Sequence, residues 1–206
     1  MKLNSKRTIL VGLAFLSICA FWQMYDSIVP LILTKTFHMN ETFSGAIMAA
    51  DNILALFLLP FFGSVSDKSH TKIGKRMPFI LFGTGCAIIL MNILPLLDNS
   101  YAAQPSGFKT ASFVIVLGLL LVAMGTYRSP AVALMPDVTP KPLRSRANAI
   151  INLMGAVGGI LYLGVAAVLY PNSKPAGLDH VNYQPLFMIV SAIMFVSIGI
   201  LFLTIK

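Results

Sequence analysis

Long apolar stretches alternate with short polar ones along the whole chain. Six apolar runs are visible, at about 8–34, 43–63, 78–97, 111–135, 147–170 and 185–205. Each has roughly the 20 residues that an α-helix needs to cross about 30 Å of hydrocarbon. Strands of a membrane barrel would be about ten residues long and would alternate in polarity, so the pattern predicts helices. The short connections predict that consecutive helices are antiparallel neighbours.

The composition agrees with a membrane protein. The chain is 57% hydrophobic and 11% charged, whereas soluble domains contain about 25% charged residues. The lipid bilayer is therefore an expected partner. The net charge of +8 could indicate a nucleic-acid partner, but the basic residues lie between apolar runs, so none is expected. The two cysteines lie inside apolar runs without metal or redox spacing, so no metal or cofactor is predicted.

The basic residues predict the orientation of the chain, because cytoplasmic loops carry an excess of Lys and Arg. One side of the membrane would carry Lys2, Lys6, Arg7, Lys68, Lys72, Lys75, Arg76, Lys141, Arg144, Arg146 and Lys206. The other side would carry Lys35, Lys109 and Lys174. A multi-pass protein of a plasma or bacterial inner membrane is expected, with both termini in the cytoplasm.

Three ionisable residues, Asp26, Asp51 and Arg128, fall inside apolar runs. Each costs about 2.5 kcal/mol or more near the bilayer centre unless a partner or an aqueous cavity receives it. Asp26 and Asp51 lie about eight residues from the same end of their runs, which predicts a similar depth. One carboxylate could hold a proton or meet a cation, and Arg128 could reach a carboxylate or extend to water. The alternative is a structural triad that only joins helices.

Further polar and aromatic residues accompany these three. They are Trp22, Gln23, Tyr25, Asn52, Tyr127, Asn148 and Asn152. Amide and carboxylate groups bond hydroxyls and an indole can stack on a sugar ring, so the set suits a polyhydroxylated ligand. Trp22 and Tyr25 could instead be interface anchors, and the two asparagines could bond across helices. Gly155 and Gly159, four residues apart, predict close helix packing.

Two motifs carry a family resemblance. Segment 63–80 reads GSVSDKSHTKIGKRMPFI, and segment 127–137 reads YRSPAVALMPD, followed by RSRANA at 144–149. The first resembles the loop between helices two and three of major facilitator superfamily transporters, in a form with the second glycine, Gly74, seven residues after Asp67. This longer form, together with the second motif, is similar to the glycoside–cation symporters, particularly the sucrose/proton branch and its bacterial relatives.

The resemblance implies an all-α polytopic membrane protein whose residues 1–206 form one six-helix half of a transporter. A second half is expected, in the same longer chain or in another. The implied function is symport of a sugar-like solute with a proton or another cation by alternating access, coupled through Asp26 or Asp51. The implied cytoplasmic gate contains Gly63, Asp67, Lys68, Gly74, Lys75, Arg76, Asp137, Arg144 and Arg146.

Two alternatives come from other classes. A non-transporting half-transporter or truncated product would bind and move nothing. An intramembrane enzyme would need a nucleophile and base, or metal ligands, at membrane depth. All three histidines lie in predicted loops, where solvated side chains are the default, and no catalytic motif is present. An enzyme is therefore not predicted.

Overall fold

The structure is a computed structural model that describes residues 4–69, 71, 73–171 and 180–204. Several residues used above lie outside these ranges, as does the end of the sixth predicted run: Lys2, His70, Lys72, Lys174 and Lys206. Six long helices make up most of the described chain, and no described residue belongs to a strand. Each helix is long and apolar enough to cross a membrane. The predicted all-α fold of six membrane-length helices is confirmed.

The helices follow one another with short connections. They are α1 Ser5–Leu31, α2 Glu41–Lys68, α3 Met77–Ala103, α4 Gly107–Val138, α5 Arg144–Leu169 and α6 Gln184–Thr204. A π-helical turn, Ile32–Thr36, extends α1, and a 3₁₀ turn, Lys141–Leu143, precedes α5. Each helix overlaps one apolar run. The helix α3 continues about two turns beyond the apolar residues, through Asp98 and Tyr101.

Local sequence explains where several helices begin. The Asn4 side chain accepts a hydrogen bond from the Arg7 amide at 3.2 Å, and the Asn40 side chain accepts one from the Thr42 amide at 3.0 Å. Both asparagines thereby satisfy a free N–H group of a first helical turn. Pro78 occupies the first turn of α3, where the missing N–H costs nothing.

The core lies around α1, which packs against α5, α6 and α4. The other main contacts join α3 to α4 and α6, and α2 to α4. Large buried side chains from four helices meet at the centre, including Phe21, Tyr25, Met91, Phe113 and Tyr127. The N-terminus of α1, the α2–α3 connection and the end of α4 share one end of the bundle, where residues 7, 73–77, 137 and 202–203 line a common cavity. This end is called the basic end.

Two helices keep most of their surface open. Only Ser44 and Ser66 are buried in α2. The exposed large apolar side chains of α2 and α5 include Phe43, Ile53, Leu56, Phe57, Phe61, Leu153, Ile160, Leu163 and Val168. In this six-helix bundle, such faces are available to lipid or to further helices.

The contact between α1 and α5 depends on glycines. A Cβ atom on Gly158 would collide with the backbone of Leu16, and one on Gly155 would lie 2.9 Å from the Cys19 sulfur. A Cβ on Gly159 would meet only the Gln23 side-chain oxygen, at 3.9 Å. Gly158, rather than Gly159, is therefore the second residue of the close contact.

We expect Gly158→Ala to destabilise the bundle by about 1–3 kcal/mol, because α1 and α5 must separate to admit the methyl group. The midpoint of thermal unfolding of the purified protein in detergent would measure this loss. Gly164→Ala on the same helix is the control, because nothing lies within 4 Å of its Cβ position. Equal midpoints for the two variants would contradict a close contact at Gly158.

Candidate functional site

An aromatic and cationic pair lies between α1 and α4. The Arg128 guanidinium carbon is 5.3 Å from the centre of the Trp22 ring, a cation–π distance. The two side chains line a small cavity together with Asp51 of α2 and with Gly125 of α4. Arg128 forms no salt bridge with any described residue. Its charge therefore faces a carboxylate-lined space without being neutralised by contact.

The two intramembrane carboxylates are also without ion pairs in the described part of the chain. Asp51 accepts one hydrogen bond, from the neighbouring Asn52 amide at 2.8 Å. Asp26 is exposed and lies one helical turn after Trp22, on the same face of α1. The structure thus places Trp22, Asp51 and Arg128 around one cavity, with Asp26 beside it.

Two polar atoms near this cavity lack partners among the described residues. The Trp22 ring nitrogen and the Tyr25 hydroxyl are both buried without a hydrogen bond. The two rings meet edge to face, with centres 5.3 Å apart. Buried donors normally have partners, so unsatisfied donors beside a cavity are suited to a ligand.

The other predicted pathway residues are distributed differently. Tyr127 is fully buried, and its hydroxyl donates to the Ala14 carbonyl at 2.9 Å, so it joins α4 to α1 rather than lining the cavity. Gln23 is exposed on α1 and directed toward Gly159 of α5. Asn148 and Asn152 are exposed one turn apart on α5. They share no described hydrogen bond with the cavity residues.

A charge network closes the basic end. Arg76 is almost fully buried, and its guanidinium donates to Asp137 at 3.0 Å, to the Ser66 hydroxyl at 2.6 Å and to Asp67. Asp67 and Ser66 end α2, whereas Asp137 ends α4. Because one planar guanidinium offers several donors in a fixed geometry, Arg76 joins three helix ends at once.

The remaining predicted gate residues surround this network. The Lys75 ammonium is 3.3 Å from Asp137 and 3.8 Å from Asp67. Gly74 has a φ angle of +96°, which side chains with a Cβ rarely adopt. Arg144 donates to the backbone carbonyls of Pro136 and Thr139. Gly63 approaches Ser129, while Lys68 and Arg146 form no described ion pair.

Sequence reasoning missed two partners. Ser66 is fully buried and supports Arg76, although a serine beside a charged loop gives no distinctive signal. His180 was expected to be solvated. Instead it is partly buried, with its Nδ1 atom 3.9 Å from the buried carboxylate of Asp98. Asp98 follows directly after an apolar run, and its position in the sequence does not reveal its burial.

Comparisons with known proteins agree with this arrangement. The family description Major Facilitator Superfamily matches residues 11–206. The sucrose transport protein SUC3 of Arabidopsis thaliana is 34% identical over 158 residues, which cover 71% of this chain and 26% of that protein. The sucrose transport protein SUT3 of Oryza sativa subsp. indica is 34% identical over 154 residues, covering 68% of this chain and 30% of that protein.

A bacterial relative is more distant. The alpha-ketoglutarate permease of Escherichia coli (strain K12) is 26% identical over 168 residues, covering 82% of this chain and 34% of the permease. The matched segments thus span only about a quarter to a third of the length of these relatives. No solved structure matches the chain.

The chain belongs to the major facilitator superfamily. It is a multi-pass membrane protein, and its family and relatives indicate a transporter rather than an enzyme. The resemblance drawn from segments 63–80 and 127–137 is confirmed at the level of the family.

We expect Arg76→Lys to lower the midpoint of thermal unfolding, because one ammonium cannot reach all the groups that the guanidinium bonds. Hydrogen bonds to charged groups are each worth about 1.5–3 kcal/mol, and part of this is lost. Arg146→Lys is the matched control, since Arg146 is an exposed arginine at the same end. An Arg76→Lys midpoint as high as that of the control would show that the network adds little stability.

Proposed function

We propose that this chain is the first six-helix half of a secondary transporter that moves a sugar-like solute together with a proton or another cation. The observation that carries the proposal is the cavity between α1, α2 and α4. There Arg128, Asp51 and neighbouring Asp26 are ionisable groups inside membrane-length helices without an ion pair among the described residues. Such groups at membrane depth mark solute or ion pathways.

The chemistry of the cavity favours a polar, ring-shaped solute. The Trp22 indole offers an apolar face, and its unbonded N–H can donate to a hydroxyl. Carboxylate and amide groups of Asp26, Asp51 and Asn52 accept and donate further hydrogen bonds. The relatives named as sucrose transport proteins support a sugar as the solute.

A second six-helix half completes the proposal. The open apolar faces of α2 and α5 are surfaces on which further helices would pack. In superfamily transporters the site lies between two halves, which rock around it. The chain spans 26% to 34% of its relatives, so the partner half belongs to the same longer protein or to another chain.

The gate and the coupling site are assigned to separate charges. Asp67, Arg76 and Asp137 would hold the basic end closed, and their separation would open it. Asp26 or Asp51 would carry the coupling proton. By the distribution of Lys and Arg, the basic end and both termini would face the cytoplasm of a plasma or bacterial inner membrane. Gln23, Tyr25, Tyr127, Asn148 and Asn152 complete the proposed pathway.

An organic anion is the second candidate solute. Arg128 has no carboxylate partner among the described residues, and a guanidinium binds carboxylates through two parallel hydrogen bonds. The relative named as an alpha-ketoglutarate permease supports this alternative.

Uptake into proteoliposomes that contain the full-length transporter would test the function. With an inward proton gradient, we expect accumulation of radiolabelled sucrose and its inhibition by other glycosides. Accumulation of α-ketoglutarate without sucrose uptake would favour the organic anion. If neither solute is bound or moved, with or without a gradient, the non-transporting alternative is favoured.

We expect Asp26→Asn or Asp51→Asn to abolish proton-driven accumulation while solute exchange at equilibrium persists. An amide cannot carry the coupling proton, although it still bonds the solute. A fall of about tenfold or more in accumulation corresponds to about 1.4 kcal/mol of lost coupling. Glu41→Gln is the control, because Glu41 is an exposed carboxylate on α2. Normal accumulation in both single variants would exclude either residue as the coupling site.

A further inference from the structure

A buried carboxylate lies at the end of the bundle opposite the basic end, remote from the cavity. Asp98 lies near the C-terminus of α3, and its side chain is completely inaccessible to solvent. Neither of its oxygens has a hydrogen-bond partner among the described residues. A buried, unpaired carboxylate is costly, so it must either hold a proton or face a positive charge.

The one histidine beside Asp98 precedes α6. The Nδ1 atom of His180 is 3.9 Å from the Asp98 Oδ2 atom and 3.3 Å from the Thr36 hydroxyl of the π-helical turn. The other ring nitrogen, Nε2, is 2.8 Å from the Asn99 side-chain oxygen. Three segments therefore meet at this imidazole ring.

The hydrogen bonds around the ring determine which nitrogen carries a proton. The Gln184 backbone N–H can only donate, and it bonds the Asn182 side-chain oxygen at 3.0 Å. The same oxygen accepts from the Asn99 amide nitrogen at 2.9 Å. The Asn99 side chain is thus oriented with its oxygen toward His180, so the Nε2 atom must donate.

The neutral imidazole consequently has its lone pair on Nδ1, the atom that faces Asp98. We propose that Asp98 and His180 form a binding site for one shared proton, and that this proton holds the segment 180–183 against α3. With the proton on either group, the pair is a buried ion pair or a neutral carboxylic acid facing an imidazole. Without it, a buried carboxylate would face a lone pair.

The direction of the pH effect follows from this count. The docked segment binds one proton that the undocked segment, with both groups in water, binds less tightly. Docking is therefore favoured at acidic and neutral pH and weakens as the pH rises and the shared proton is lost.

Other ionisable groups on the neighbouring elements do not replace this pair. They are Lys35, His38, Tyr101, Lys109, Tyr170 and Tyr183. None of them forms a described salt bridge with Asp98. The Lys109 ammonium donates to the carbonyls of Ser100 and Gln104. Burial, reinforced by the Asp98 charge, raises the pKa of Tyr183, and burial raises the pKa of Tyr170, so both remain neutral below about pH 10.

The proton would act on the connection between α5 and α6. The Asn182 carbonyl accepts a hydrogen bond from the Tyr170 hydroxyl, at the end of α5, and its side chain caps the first turn of α6. Release of the segment would therefore loosen the start of α6. In the proposed orientation this end faces the outside, but the site stands independently of the transport proposal.

Hydrogen–deuterium exchange of residues 180–187 would test the site, measured on the protein in lipid nanodiscs between about pH 6 and pH 8.5. After correction for the intrinsic exchange rate, we expect protection to fall with rising pH. One linked proton sets the limit at about tenfold per pH unit. Asp98→Asn should be protected at all these pH values, because its amide can donate to Nδ1 and leaves no buried charge.

A second variant and a control complete the experiment. Asp98→Leu removes every ionisable and hydrogen-bonding group at the position, and should also abolish the pH dependence if Asn is not tolerated. His38→Asn changes an exposed histidine at the same end, at a φ of 50° that Asn tolerates, and should keep it. A pH-independent wild type, an unchanged slope in either Asp98 variant, or loss of the slope in His38→Asn would each overturn the proposal.

Discussion

Hydrocarbon offers no hydrogen-bond partner, and this constraint governs both the backbone and the side chains of the bundle. Every span is helical because a helix satisfies its own N–H and C=O groups. Polar side chains within the spans bond to the backbone or to another helix. Ser129 of α4 donates to the Leu59 carbonyl of α2, and Asn92 of α3 donates to Ser191 of α6. The polar contacts that are complete therefore hold the six helices together.

The incomplete polar contacts identify where function is concentrated. Trp22 and Tyr25 keep unbonded polar atoms beside the cavity, and Arg128 has an aromatic partner in place of a carboxylate. A structural triad would have paired its charges, because pairing lowers the cost of each one at membrane depth. The cavity instead keeps donors and acceptors available, which suits a ligand that arrives and leaves.

The two ends of the bundle manage buried charge differently. At the basic end, buried Arg76 is matched by two carboxylates that remain partly exposed, at 55% for Asp67 and 30% for Asp137. Such pairs can separate into water, as a gate requires. At the opposite end Asp98 is wholly buried beside a single titratable ring. There a proton is the only neutralising partner among the described groups.

The sequence alone determined the number of spans, the family and the costly charges, because apolar length and isolated ionisable residues are local properties of the chain. It also placed Arg76, Asp67 and Asp137 in one gate through motif resemblance. Only the tertiary structure decided which way each side chain faces. Tyr127 turned into the core, and Gly158 replaced Gly159 in the helix contact. Asp98 and His180 are about eighty positions apart in sequence, so only helix packing could bury one against the other.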